Sequence, residues 1–282
     1  MIDVVTDQQI KMASPATLRF QYEDQDGFPA DPGTVTVSVA SSDGTAVLTG
    51  QATAGTGTAE RTVDLTAAQT AAIDRLTATW SNDTPTVIGA TVVDVVGRWI
   101  VGLEEFRQDE PLSDADKAEF IRARNEVDHF IRGRCHRSFV KRFDTETINS
   151  NGSKRLRTRV PDVKSVLWAN DEDGNAITIT SAVPRDSGFI DLNTGWPCGR
   201  ITVGYVHGVE RPPDDIAGAA AALIDHRNRS GHSLLSGAAS NLTTPLGSTS
   251  FTPIAGYGKA LTAISEIDEA LNAHRWDPPL VR

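Results

Sequence analysis

The chain has 282 residues, a formal charge of -10 and a sequence pI near 5.1. That acidic balance argues against a general nucleic-acid coat, because phosphate binding is dominated by cations. Hydrophobic residues make up 39% and charged residues 23%, a globular composition large enough for one large domain or two ordinary ones. Two cysteines, Cys135 and Cys198, stand in no CxxC pair, which disfavours a zinc framework or a disulfide scaffold and predicts two buried, reduced thiols. The opening MIDVVTDQQIKMASPATL has neither the basic start nor the apolar run of a signal peptide. No apolar run reaches a membrane span, so the expectation is a chain that is cytosolic when made, with no membrane.

In chain order, residues 1–13 read as a loose or partner-bound N-terminal tail. Residues 14–99 read as an all-β immunoglobulin-like sandwich. ATLRFQY alternates with Leu18, Phe20 and Tyr22 inward, and TVTVSVA does so through Val35, Val37 and Val39. Asp26-Gly27, Asp43-Gly44 and Gly55-Thr56-Gly57 mark turns. AERTVDL, LTATW and VIGATVVDVVG complete about seven short strands. LTAAQTAAIDRL breaks the period and reads as a short crossover helix with Leu65, Ala68 and Ala72 on one face.

Residues 100–282 read as a second, mainly α-helical domain with a small sheet. Ser113 opens an S-x-x-D start. The helix that follows, to about Gly133, is expected to bury Phe120, Ile121, Val127, Phe130 and Ile131. RTRVPDVKSVLWANDEDGNAITI reads as two strands around the Asp173-Gly174-Asn175 turn, and Phe189–Leu192 as another strand. Ile201, Val203 and Tyr205 alternate toward Gly208. Pro213 then stands at a helix start, where no N–H is needed. Asp214 and Asp215 place negative charge at the positive end of the dipole. Ile216, Ala219, Ala220, Leu223 and Ile224 form the apolar face, widened by the small residues Gly218, Ala221 and Ala222. Residues 230–258 contain no Asp, Glu, Lys or Arg. Leu234, Leu235, Leu242, Phe251 and Ile254 suit this loop or hairpin to order against a neighbouring subunit. Lys259 to His274 reads as the last helix, striped by Leu261, Ile264, Ile267 and Leu271, with 276–282 as a tail.

The strand–turn–helix residues Val203, Tyr205, Gly208, Pro213, Asp215, Ile216, Ala220, Leu223 and Arg227 resemble the head-to-tail adaptor (connector) proteins of long-tailed bacteriophages. Ile131, Arg134, Cys135 and Phe139 resemble the end of that family's first long helix, and Val160, Pro161, Val163 and Val166 its central sheet. The resemblance covers about Val101 to Arg282 and omits the N-terminal sandwich. It implies a non-enzymatic virion protein without cofactors, forming a dodecameric ring beneath the portal protein. That ring would continue the DNA channel and join head to tail. The implied partners are the portal, the next connector or tail-completion protein, other copies of the chain, DNA passing non-specifically through the lumen, and capsid through the N-terminal domain. For portal contact the resemblance points to Ile264, Ile267, Leu271, Trp276, Leu280 and Val281.

Charge is unevenly divided. Ile121 to Lys164 holds 12 Lys and Arg against 5 Asp and Glu. Arg132, Arg134, Arg137, Lys141 and Arg142 are therefore candidates for inter-subunit or channel-lining charge. Pairing with an acidic neighbour is favoured over DNA, since a channel that passes DNA should not grip phosphate. Asp171-Glu172-Asp173-Gly174-Asn175 fails the spacing of a calcium loop and reads as a β-turn. His129, His136 and His226 have no further ligands at metal spacing and read as surface or interface residues. No P-loop, nucleophile elbow, H-E-x-x-H or Rossmann fingerprint occurs. Two other classes fit less well: a carbohydrate-binding or surface-binding virion protein using the sandwich, and a DNA-binding protein using the basic helical segment.

Overall fold

A computed structural model describes residues 4–55, 59–82, 86–103, 114–230, 241–244, 247–250 and 265–277. Among the described residues 43% lie in strands and 19% in helices, which overturns the expected α+β architecture with a mainly α-helical second domain. The reason lies between the first two helices. The polar run RFDTETINSN and the three- and four-residue segments RLR and AVPR carry too few apolar residues to announce strands, yet all of them pair. The chain forms two compact units, each built from two stretches: residues 1–99 with 140–210, and residues 100–139 with 211–282.

The first unit begins with β1 (Val4–Lys11), β2 (Ala16–Gln21), β3 (Val35–Ala40), β4 (Ala46–Ala52), β5 (Ala54–Gly55), β6 (Glu60–Leu65), β7 (Asp74–Asn82) and β8 (Val87–Val96). They make a five-stranded sheet in the order β1-β8-β7-β3-β4 and a three-stranded sheet β2-β6-β5. Strict alternation turns Val35, Val37, Val39, Leu18, Val63, Leu65, Leu76, Ala78, Val93 and Val95 into one shared core. Trp80 sits at its centre, stacked on Phe20 at 5.3 Å between ring centroids. Its indole N–H donates to Thr91 Oγ1 at 3.1 Å, so burial leaves no polar atom unsatisfied there. Gly89 makes room for that stack, since a Cβ would lie 2.3 Å from the Phe20 ring.

Two local expectations change here. The segment read as a loose tail contains β1, which pairs in parallel with β8. Its polar middle, Asp7-Gln8-Gln9, hides the strand, and a register shift between Thr6 and Gln8 breaks the alternation. The expected crossover helix over 65–76 is a turn: Leu65 ends β6 and is buried, and Gln69 N–H donates to Thr66 C=O. The Gln69 side chain accepts from Thr66 N–H as well, closing the turn before a helix can propagate.

The same unit continues with β9 (Arg142–Asn151), β10 (Arg155–Arg157), β11 (Val163–Asn170), β12 (Ala182–Arg185), β13 (Phe189–Leu192) and β14 (Cys198–His207). These form the sheets β11-β14-β9 and β10-β13-β12. Ile201, Val203 and Tyr205 face a core with Leu156, Ile190, Leu192 and Trp196. On the opposite face of β14, Gly204 is buried because the Trp168 indole lies over it, where a Cβ would come within 2.4 Å. The Asp171–Asn175 segment holds a β-turn, closed by Gly174 N–H donating to Asp171 C=O at 3.1 Å, with Asp171 N–H donating to Asn175 C=O at 3.0 Å beneath it. Only an isolated bridge, Asn170 with Ala176, follows it in place of a second full strand.

The second unit contains α1 (Asp114–Cys135), α2 (Asp214–Ser230), the hairpin β15 (Asn241–Thr244) with β16 (Gly247–Ser250), and α3 (Ser265–Ala273). In α2 the buried face is the one read from periodicity: Ile216, Ala219, Ala220, Leu223 and Ile224. In α1 the buried stripe is Phe120, Ala123, Val127, Ile131 and Cys135, joined by Arg124 and Asp128. Ile121, expected inside, is 46% exposed, and Phe130 is half-buried. They lie on the two flanks of that stripe, Ile121 on the side of Asp128, which stands seven residues on and takes the buried place there.

Candidate assembly surfaces

The last helix carries the expected partner-binding residues, and its sequence explains how it is held. Nine residues are too few for a helix stable by itself, so α3 depends on docking. Ile267 and Leu271, four residues apart and on one face, are buried at 4% and 0% exposure. Polar contacts close the C-terminal end. Cys135 Sγ–H donates to Leu271 C=O at 3.3 Å, and Arg134 donates to Asn272 Oδ1 at 2.7 Å. Trp276 N–H donates to Cys135 C=O at 2.8 Å. His274 Nε2 lies 2.8 Å from Asp215 Oδ2 in the first turn of α2, and its ring packs edge-on to Phe139. Burial alone would favour the neutral acid at Asp215 and is the largest single influence, but the His274 hydrogen bond, the Ile216 N–H bond and the electrostatic pull of His274 together outweigh it and hold that carboxyl below the ordinary range. Burial pushes the Cys135 thiol up to about 11, which suits a structural donor and not a nucleophile.

The candidate portal residues therefore divide. Ile267 and Leu271 are spent on packing within their own unit, whereas Trp276 is half-buried beyond the helix end. Ile264, Leu280 and Val281 lie outside the described residues. So do Leu234, Leu235, Phe251 and Ile254, while Leu242 pairs with Thr249 in the β15–β16 hairpin.

The basic segment is largely matched within the chain. Arg132 meets His129 Nδ1 at 3.2 Å, Arg134 is bound to Asn272, and Arg137 lies 5.6 Å over the Phe139 ring. Lys141 pairs with Glu210, and Arg142 is 2% exposed beside His207 in the β9–β14 register. Arg159 pairs with Glu146, which also accepts from the Arg159 backbone N–H and the Tyr205 hydroxyl, and Lys164 pairs with Asp186. In α1, burial lowers the Arg124 guanidinium to about 10, opposed by Asp128. Across the helices, Arg227 binds Glu126 at 2.9 Å.

The sequence reading missed the Asp215–His274 and Glu126–Arg227 pairs. Their only signal was a carboxylate or guanidinium on a helix turn, and nothing in the sequence gives the partner helix. It also missed Asp191, which accepts from Arg155 at 2.8 Å and from Arg185 at 3.1 Å, and whose carboxyl these arginines hold below its usual range. Cys198 was expected to be buried and is exposed, at the start of β14. His129 and His136 are exposed, the latter with φ of 54°. Among the described residues no group of three or more His, Cys, Asp or Glu is placed to hold a metal ion. Among the described residues no helix is long and apolar enough to cross a membrane.

No family model and no curated protein matches the sequence. Solved structures that are similar in part include two from gene transfer agent particles. The neck of an empty gene transfer agent particle shares 16% identity over 63% of this chain and 88% of its own, with a TM-score of 0.43. The virion of a native gene transfer agent particle shares 17% over 62% and 89%, with a TM-score of 0.42.

Proposed function

We propose that the chain is a structural protein of a phage-type virion, a head-to-tail adaptor whose copies form a ring, read as a dodecamer, beneath the portal. The ring continues the DNA channel to the next connector or tail-completion protein and performs no reaction. The observation that carries this reading is the anchoring of α3. A helix of nine residues is bound to both α1 and α2 through Leu271, Asn272, His274 and Trp276. That arrangement delivers the chain to Asp277 from a fixed point, as a docking tail requires. The resemblance read from Val203 through Arg227 supports the same role.

In this reading Trp276, Leu280 and Val281, with Ile264, contact the portal, and Ile267 and Leu271 hold the helix that presents them. The uncharged segment, including Leu242, orders between subunits. The extra N-terminal sheets contact capsid, and DNA passes without specific contact. Purified protein mixed with its portal should give rings by electron microscopy. Truncation before Lys259 should abolish docking. Because that truncation also removes two core residues, Leu280→Ser with Val281→Ser supplies the cleaner test. Normal docking by both variants would refute the C-terminal assignment, and absence of rings with portal present would refute the adaptor reading.

A further inference from the structure

The open face of the sheet β10-β13-β12 has no counterpart in the contacts described so far. Period-2 alternation sends Leu156, Ile190 and Leu192 into the core. It leaves Arg155, Arg157, Val183, Arg185, Phe189 and Asp191 on the other side. The face thus carries three guanidinium groups, two of which share one carboxylate. Arg155 and Arg185 converge on Asp191 from either side, with side chains 62% and 55% exposed, and Arg155 lies 5.3 Å over the Phe189 ring. Val183, 42% exposed, adds an apolar spot on the edge strand. The arginines are held in place by Asp191 while keeping donors to spare.

A loop elsewhere in the same unit has the opposite character. Asp24 Oδ1 accepts from Asp26 N–H and Phe28 N–H, both at 2.9 Å, and Asp24 N–H donates to Phe28 C=O at 2.9 Å. This rigid turn holds Phe28 at 67% exposure, the largest value among the exposed large apolar residues described. Glu23, Asp24 and Asp26 surround it, all exposed. A large aromatic held in water on a preorganised, acidic turn has the make-up of an interface anchor.

We infer that the arginine face of β10-β13-β12 receives the acidic, Phe28-tipped loop of a second copy of this chain. The inference rests on the ring reading and deepens it by naming a subunit contact. The two surfaces match in charge and each offers an apolar centre, Phe28 on one and Val183 with Phe189 on the other. A polynucleotide would satisfy the arginines and leave Phe28 unexplained. The surplus of carboxylates outside the basic segment places the complementary charge on the chain itself. Because the two patches differ, the contact is heterologous, the kind that closes into a ring when the rotation permits.

The test uses the full-length chain with photo-reactive benzoylphenylalanine at position 28, mixed with isotope-labelled unsubstituted chain and portal, and cross-links mapped by mass spectrometry. Intermolecular cross-links should fall in 154–157 or 182–191. Arg155→Glu with Arg185→Glu in the labelled chain should lower their yield about tenfold. Glu23→Lys with Asp26→Lys in the photo-reactive chain should then restore it. Cross-links within one chain, cross-links elsewhere, or an unchanged yield in the charge-reversed chain would overturn the contact. Rings that form with cross-links elsewhere would remove this contact and leave the adaptor reading. A chain that stays monomeric with portal, without cross-links, would remove both. Loss of duplex DNA retention in the charge-reversed chain with full cross-linking would assign the face to nucleic acid and overturn the proposal.

Discussion

Replacing Leu271 by alanine probes the anchoring of the last helix most directly. Leu271 is fully buried among α1 and α2, and its carbonyl accepts the Cys135 thiol. Isolated helices shorter than about 12–15 residues are marginal in water, so the nine residues of α3 are helical because Ile267 and Leu271 are covered. Burial of each such side chain contributes about 1.5–3 kcal/mol. Truncating Leu271 removes one of the two and leaves a void, a loss of about 2–5 kcal/mol. The expected phenotype is local before it is global. Backbone amides over 270–273 should exchange at least about thirtyfold faster, the equivalent of roughly 2 kcal/mol, while those in the middle of β7 and β8 change little. Urea unfolding followed by helical circular dichroism should show the same loss in the helical unit. Glu269→Ala, on the exposed side of the same helix, should stay within about 0.5 kcal/mol of the parent. A Leu271→Ala effect below about 1 kcal/mol with unchanged exchange would refute the view that docking makes this helix.

Three further outcomes follow from other sites. Gly89→Ala places a methyl group against the Phe20–Trp80 stack and should cost about 1–3 kcal/mol in the β unit by overpacking, read as a lower urea midpoint. Native protein should expose one thiol per chain to an aromatic disulfide reagent, Cys198. Cys135, buried and pushed up to about 11, should react only after unfolding. Asp215 has a depressed pKa when folded, so its contribution is present above the unfolded value near 3.8 and lost as pH falls through the folded one. Asp215→Asn should therefore be less stable than the parent at pH 6, and the gap should narrow below about pH 4 in a pH series of melting curves.

The residues that sequence patterning placed well are those where one period governs both burial and contact. The α2 face from Ile216 to Ile224 and the inward set Val35, Val37 and Val39 are both of this kind. Patterning failed where burial is purchased by pairing. Arg124 and Asp128 occupy the α1 seam that a hydropathy reading assigns to Ile121. It failed again where strand pairing depends on distant partners: β1 joins β8 in parallel across about eighty residues, and β9 is a polar ribbon that is a strand because β14 lies beside it. The residues that seat the last helix were half legible. Ile267 and Leu271 were found by spacing, yet spacing could not say that they face their own unit, and nothing local foretold that His274 would meet Asp215.

The interleaving of the two units has a practical corollary for anyone dividing the protein. The backbone passes from one unit to the other at residues 99–100, 139–140 and 210–211. Neither body is a continuous stretch, so expressing residues 1–100 would strip the first of β9 through β14, and starting at residue 100 would strand those same ribbons without their opening sheets. Excision by a single cut separates nothing whole; only grafting a short bridge from Trp99 to Val140 would release the β body intact.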